Sequence, residues 1–194
     1  MQIKLAKTAG FCFGVDRAVN LVYELVSKGE KVCTLGPIIH NRQLVEDLNS
    51  RGVKTICAPS ECEADYKIVV RTHGVEKSVI EEIERKELAY VNATCPFVRK
   101  IHRIVSEQGK NTVTLIAGDE NHPEVMGIRA FCKGESFVFN NEQDLEYIIH
   151  SGKVCAENSI ICVSQTTFSL EEWKKCKKIL EKVYTKCEIF DTIC

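Results

Sequence analysis

Three cysteines recur in similar settings. Cys12 closes the run Ile3–Cys12, Cys95 closes Ala89–Cys95 and Cys194 closes Glu188–Cys194; each is a short β-prone stretch ending in small or polar residues. Cys95 follows Cys12 by 83 residues and Cys194 follows Cys95 by 99. Those spacings are far too long for a zinc knuckle, and none of the three belongs to a C-x-x-C pair. Thiolates from three repeated units that met on a pseudo-threefold axis would suit a soft metal centre, and helix N-termini favour the ligating form. An iron–sulfur cluster normally takes four cysteines. With three, one iron would be left open for substrate or an exogenous ligand.

Histidines mark the same repeat. His40 comes 28 residues after Cys12, and His122 comes 27 after Cys95. His73 closes Val70-Arg71-Thr72-His73-Gly74, and its counterpart is Thr166 in Val163-Ser164-Gln165-Thr166-Thr167. Imidazoles beside helix N-termini make an anion site suited to phosphate. His122-Pro123-Glu124 adds a carboxylate, which is either a first-turn helix charge or a proton donor beside a bound ligand. Thr166 and Thr167 are open to the plainer reading of helix N-caps.

The elements that must position these groups follow from periodicity. Val15, Ala18, Val19, Val22, Leu25 and Val26 lie on one helical face. Lys67–Thr72, Thr112–Ala117 and Ser159–Ser164 read as buried strands. A helical pattern with Val75, Val79, Ile80 and Ile83 follows the first, and one with Leu170, Trp173, Leu180 and Val183 follows the last. Gly29 and Gly52 mark helix ends. Such alternation predicts an α/β fold of repeated small parallel-sheet units with flanking helices. The expected division is 1–87, 88–185 and the start of a third unit at 186–194. In open α/β sheets ligands gather beyond the carboxyl ends of the strands, where every landmark above sits.

Composition narrows the classes. The 194 residues are 44% hydrophobic and 27% charged, which excludes wholesale disorder. A net charge of −1 gives no electrostatic case for nucleic acid or a membrane surface. The first residues lack the apolar core of a signal peptide, so the expectation is a cytoplasmic protein with reduced thiols. There are 11 cysteines, an odd number that cannot pair off within one chain. Cys33, Cys132, Cys155, Cys162, Cys176 and Cys187 fall in apolar segments and are expected in the core. Cys57 and Cys62 flank Pro59-Ser60 and are read as exposed, with a redox pair between them as one option. His102 and His150 are expected at surface or capping positions.

Seven ordered motifs carry a resemblance that spans the chain. They are Gly10-Phe11-Cys12-Phe13-Gly14-Val15-Asp16-Arg17-Ala18, His40-Asn41-Arg42, Thr72-His73-Gly74, Val91-Asn92-Ala93-Thr94-Cys95-Pro96, His122-Pro123-Glu124-Val125, Ser164-Gln165-Thr166-Thr167 and Asp191-Thr192-Ile193-Cys194. The sequence resembles the 4-hydroxy-3-methylbut-2-enyl diphosphate reductase family of the non-mevalonate isoprenoid pathway. That resemblance implies a trefoil of three α/β units around a [4Fe–4S] cluster. It implies Cys12, Cys95 and Cys194 as cluster ligands, and Glu124, Thr166 and His122 as the proton route. His40, Asn41, His73, His122, Thr166 and Thr167 would surround the substrate, with the histidines mainly on its diphosphate. A low-potential donor such as ferredoxin or flavodoxin would supply electrons. The alternative class is a non-catalytic iron–sulfur redox-sensing module.

The family's third unit follows the third cysteine and supplies a Ser-x-Asn motif and a later serine to the diphosphate. These are absent from the 194 residues, so the chain alone is expected to bind cluster poorly and to lack activity.

Overall fold

Fifteen helices and strands, with one short 3-10 turn, alternate along the chain in the computed structural model, which describes residues 3, 4, 6, 9–154 and 159–194. Cys155 and part of the strand expected before Cys12 lie outside the described residues. The chain divides into two compact units, Met1–Thr72 with Glu81–Cys95, and His73–Ile80 with Pro96–Cys194.

In the first unit, α1 (Phe13–Ser27) precedes β1 (Lys31–Leu35), α2 (Arg42–Ser50), β2 (Lys54–Ile56), β3 (Tyr66–Val70), α3 (Lys77–Arg85) and β4 (Tyr90–Asn92). The apolar stripe of α1 is buried at Ala18, Val19, Val22 and Leu25, joining Val32, Val69 and Ala93 from the strands and loops. Burying each such Val or Leu side chain contributes about 1.5–3 kcal/mol. Helix α1 stops at Gly29, whose φ of 78° is open to glycine, with Gly29 N–H donating to Val26 and Glu30 N–H to Leu25. The sheet is parallel throughout, in the order β2-β1-β3-β4.

The second unit repeats this plan. Helix α4 (Pro96–Ser106) is followed by β5 (Thr112–Ala117), α5 (Pro123–Phe131), β6 (Ser136–Phe139), α6 (Glu142–His150), β7 (Ser159–Ser164), α7 (Leu170–Val183) and β8 (Cys187–Ile189). The parallel order is β6-β5-β7-β8, the same topology as the first sheet. Every residue of β5 is buried, because helices cover both faces. Val113, Leu115 and Cys162 face Leu145, Trp173, Cys176 and Leu180. Ile116, Ile161 and Val163 face Ile101, Val105, Val125 and Ile128.

The expected α/β class of parallel-sheet units with flanking helices is the observed one. Thr112–Ala117 and Ser159–Ser164 coincide with β5 and β7, since runs dominated by apolar residues without a charge are what a doubly covered strand requires. At the unit edges the structure groups the chain differently from the sequence division. Strand β4 hydrogen-bonds to β3 and β8 to β7, so each sheet takes as its fourth strand a run that the sequence reading put at the start of the next unit. Among the described residues, no helix is long and apolar enough to cross a membrane.

Candidate functional site

In both sheets the first and third strands lie side by side, and their chain connections run to opposite edges. That arrangement makes a switch point, where loops beyond the strand ends part to leave a ligand crevice. Gly36–Asn41 follows β1, the segment with Thr72 and His73 follows β3, the segment with His122 follows β5, and Gln165–Ser169 follows β7.

The first unit presents two thiols. Cys12 caps α1 with extended backbone, its carbonyl accepting from Asp16 N–H at 2.9 Å, while its exposed side chain makes no capping bond. Cys95 immediately precedes α4, and its N–H donates to Thr72 O at 2.9 Å. Thr72 is itself fastened, its hydroxyl donating to Ile38 O at 3.1 Å. Arg17 of α1 donates to Thr94 O at 3.3 Å, bracing the residue before Cys95. A Cβ at Gly14 would stand 2.5 Å from the Cys95 sulfur. Glycine there leaves the sulfur room that a methyl group would take. Two thiols at helix starts, Cys12 without a capping bond and Cys95 in a cradle of this kind, are donors of the type a soft metal cluster takes. Asn41 spends its side-chain oxygen on capping α2, accepting from Leu44 N–H at 3.0 Å. His40 is exposed beside it.

The second unit holds a buried acid. Glu124, in the first turn of α5, is 2% exposed. Its Oε1 accepts from Thr166 N–H at 2.6 Å and its Oε2 from the Thr166 hydroxyl at 2.8 Å. Burial holds the Glu124 carboxyl above its ordinary range, and the two bonds from Thr166 only partly oppose it. His122 caps the same helix, its Nδ1 accepting from Glu124 N–H at 3.2 Å. A ring nitrogen that accepts carries no proton, so the neutral ring bears its proton on Nε2. His73 meets the His122 ring edge-on, at 5.3 Å between centroids.

Cys194 is positioned by backbone. Its N–H donates to Thr166 O at 3.0 Å, the same kind of bond that Cys95 makes to Thr72. By that bond Thr166 corresponds to Thr72, one residue before the His73 with which the sequence alignment paired it. The Thr192 hydroxyl clasps the end of β7, accepting from Ser164 N–H at 2.7 Å and donating to Ser164 O at 2.8 Å. Trp173 Nε1 and Lys177 both donate to Asp191. Gln165 turns away from the acid, accepting from Asp119 N–H and donating to the Thr167 hydroxyl. Sequence reasoning passed over Ser164 and Thr192 as functional supports; both stand in quoted motifs, but a clasp across 28 residues leaves no local signal.

Two expectations are corrected. His102, expected at the surface, is 8% exposed: it stacks on Phe131 at 4.4 Å, with its Nε2 buried and unpartnered. Residue 102 falls on the apolar side of α4, between Ile101 and Val105, and burial pushes its imidazole down to about 4. Cys62 faces Cys33 at 3.6 Å between sulfurs, in place of the Cys57 partner the loop suggested. Cys33, Cys162 and Cys176 are buried as expected, whereas Cys132 and Cys187 are half-buried.

Repeated parallel α/β sheets with helices on their faces, whose strand ends carry thiols, histidines and a buried carboxylate, define the class: an α/β protein of duplicated parallel-sheet units. The chain belongs to the LytB protein family, whose match covers residues 3–194. It is 38% identical over 200 residues to the 4-hydroxy-3-methylbut-2-enyl diphosphate reductase of Caldanaerobacter subterraneus subsp. tengcongensis, covering all of this chain and 67% of that protein. The enzyme of the same name from Geobacter metallireducens is 41% identical over 197 residues, with the same coverage. A solved (E)-4-hydroxy-3-methyl-but-2-enyl diphosphate reductase, described as the terminal enzyme of the non-mevalonate pathway, matches with TM-score 0.80 and 32% identity over 99% of this chain and 68% of its own. The Plasmodium falciparum reductase shares the fold, with TM-score 0.85 at 23% identity, over 97% of this chain and 59% of its own. The chain thus spans about two thirds of the curated relatives it matches.

Proposed function

We propose that this chain contributes the residues below to the reductive dehydroxylation of (E)-4-hydroxy-3-methylbut-2-enyl diphosphate. The products are isopentenyl and dimethylallyl diphosphate, and each turnover takes up two electrons and two protons and releases one water. The buried Glu124–Thr166 pair carries this reading, on a chain whose family relatives bear that enzyme's name. Cys12, Cys95 and Cys194 would hold a [4Fe–4S] cluster. When bound, that group supplies low-potential electrons and a Lewis-acidic iron.

The chain's own residues do the positioning and the proton chemistry. A carboxyl held above its ordinary range by burial keeps its proton nearer neutral pH, so Glu124 is suited to donate. The Thr166 hydroxyl donates to Glu124 and can relay a proton onward from the same oxygen. His122 engages its own helix through Nδ1, so its neutral ring carries the proton at Nε2. His40, His73 and His122 bind the diphosphate, while Asn41 and Thr167 complete the substrate surroundings. A trefoil completed by a third unit would add the remaining diphosphate contacts. Ferredoxin or flavodoxin serves as electron donor, in the cytoplasm.

The test is anaerobic turnover by the protein after reconstitution with iron and sulfide. Both isomeric diphosphates are expected, and Glu124→Gln should cut turnover by about 10²-fold or more while diphosphate binding persists. Colourless protein after reconstitution, or undiminished turnover in Glu124→Gln, overturns the reading. An iron-loaded protein whose spectrum ignores the diphosphate would point to a redox sensor instead.

A further inference from the structure

The first unit holds a second pair of thiols with no part in the proposed cluster. Cys33 lies in β1 and Cys62 in the loop that leads to β3, with 3.6 Å between their sulfurs. Their other hydrogen-bond contacts among the described residues are to carbonyl oxygens: Cys33 approaches Lys67 O at 3.8 Å, and Cys62 approaches Glu63 O and Tyr66 O at 3.4 and 3.7 Å. We propose that Cys33 and Cys62 are a thiol–disulfide couple, oxidised to an intramolecular disulfide by a low-molecular-weight disulfide such as oxidised glutathione.

The geometry sets the order of events. Cys33 is 1% exposed, whereas Cys62 is half-buried and within reach of a small reagent. Cys62 therefore attacks first: its sulfur bonds to one glutathione sulfur, the reagent's S–S bond breaks, and one glutathione leaves as a thiol with the Cys62 proton. Cys33 then displaces the second glutathione, which leaves with the Cys33 proton. Two cysteine thiols are oxidised and one glutathione disulfide is reduced to two thiols, so atoms and electrons balance.

A disulfide needs its sulfurs at about 2.05 Å, so they must close by roughly 1.5 Å. Strand β1 is an interior strand, hydrogen-bonded to β2 through Cys33–Leu35 and to β3 along its length. The loop at Cys62 must make most of the movement. Burial beside Cys62 pushes the Cys33 thiol up to about 12, which keeps it protonated and makes it the slower, resolving partner. The finished bridge ties an interior strand to the loop before its neighbour. It closes a 29-residue span, and so should raise the resistance of the first unit to unfolding.

This inference stands apart from the reductase reading, and its test needs neither cluster nor substrate. The full chain is treated with oxidised glutathione, the remaining thiols are blocked, and the digest is mapped by mass spectrometry. A Cys33 peptide joined to a Cys62 peptide is expected, reversed by dithiothreitol and accompanied by a higher urea midpoint. Cys62→Ser changes only a loop position and leaves the packing of β1 intact; it should abolish both the cross-link and the shift. A stable glutathione adduct on Cys62 with Cys33 still a thiol overturns the proposal. So does a Cys57–Cys62 bridge, or recovery of both thiols unmodified.

Discussion

At the scale of single residues, the second unit buries two titratable groups whose effects on stability run in opposite directions with pH. His102 has its folded value depressed to about 4 from an ordinary 6.5, because an imidazolium stacked on Phe131 would lie away from water. Its contribution is fully present above pH 6.5 and is lost as pH falls toward about 4, on the order of 3 kcal/mol in all. His102→Leu should flatten that acid slope in urea unfolding and cost little at neutral pH, since the buried Nε2 has no partner to lose. An unchanged slope would mean that His102 is not the titrating group. Glu124 behaves oppositely: its folded value is raised, so the native state holds its proton more tightly than the unfolded chain. Stability from this residue therefore declines as pH rises from the ordinary carboxyl range through the raised value. Relative to the native protein, Glu124→Gln should gain stability with rising pH across that window, as read from paired urea midpoints.

Elements convert those residues into a site, and their ends matter most. Gly14 lies in the first turn of α1, where alanine would ordinarily favour a helix by up to about 1 kcal/mol. Here the added methyl would stand 2.5 Å from the Cys95 sulfur and displace it. Gly14→Ala should therefore keep or improve helicity by circular dichroism while lowering the iron retained after anaerobic reconstitution. Equal iron content would show that the Cys95 sulfur yields without consequence. At the other end of the chain, Asp191 ties β8 to α7 by accepting from Trp173 Nε1 at 2.8 Å and from Lys177 at 3.0 Å. Asp191→Ala removes the charged acceptor of the indole N–H, and should cost about 1–3 kcal/mol. The single tryptophan reports the change directly, as altered fluorescence together with a lower unfolding midpoint.

On the scale of the molecule, two sheets of identical strand order present equivalent backbone bonds, Cys95 to Thr72 and Cys194 to Thr166. Duplication of one plan accounts for thiols that recur after the fourth strand of each sheet, beyond the carboxyl ends where open α/β sheets gather ligands. The proposed ligand set draws two thiols from the first unit and one from the second. Cys12→Ser, Cys95→Ser and Cys194→Ser should each lower bound iron sharply, whereas Cys187→Ser should not. Iron retained in all three single variants would remove the cluster assignment, even if the fold were intact.

The sequence by itself determined the α/β alternation, the strands at Thr112–Ala117 and Ser159–Ser164, and the α1 stripe, because each follows from periodicity within a short window. It also marked His122 as a helix-start residue, since Pro123 suits the first helical turn, and set Cys12 just before the α1 stripe. The tertiary structure alone decided which distant groups meet. Glu124 reaches Thr166 across 42 residues, Thr192 clasps Ser164 across 28, and Cys62 faces Cys33 across 29. It also turned His102 inward and gave β4 and β8 to the sheets before them. Local pattern sets which face of an element is apolar. Strand order and register set which faces and loop ends come together, and those depend on pairing between segments that no short window contains.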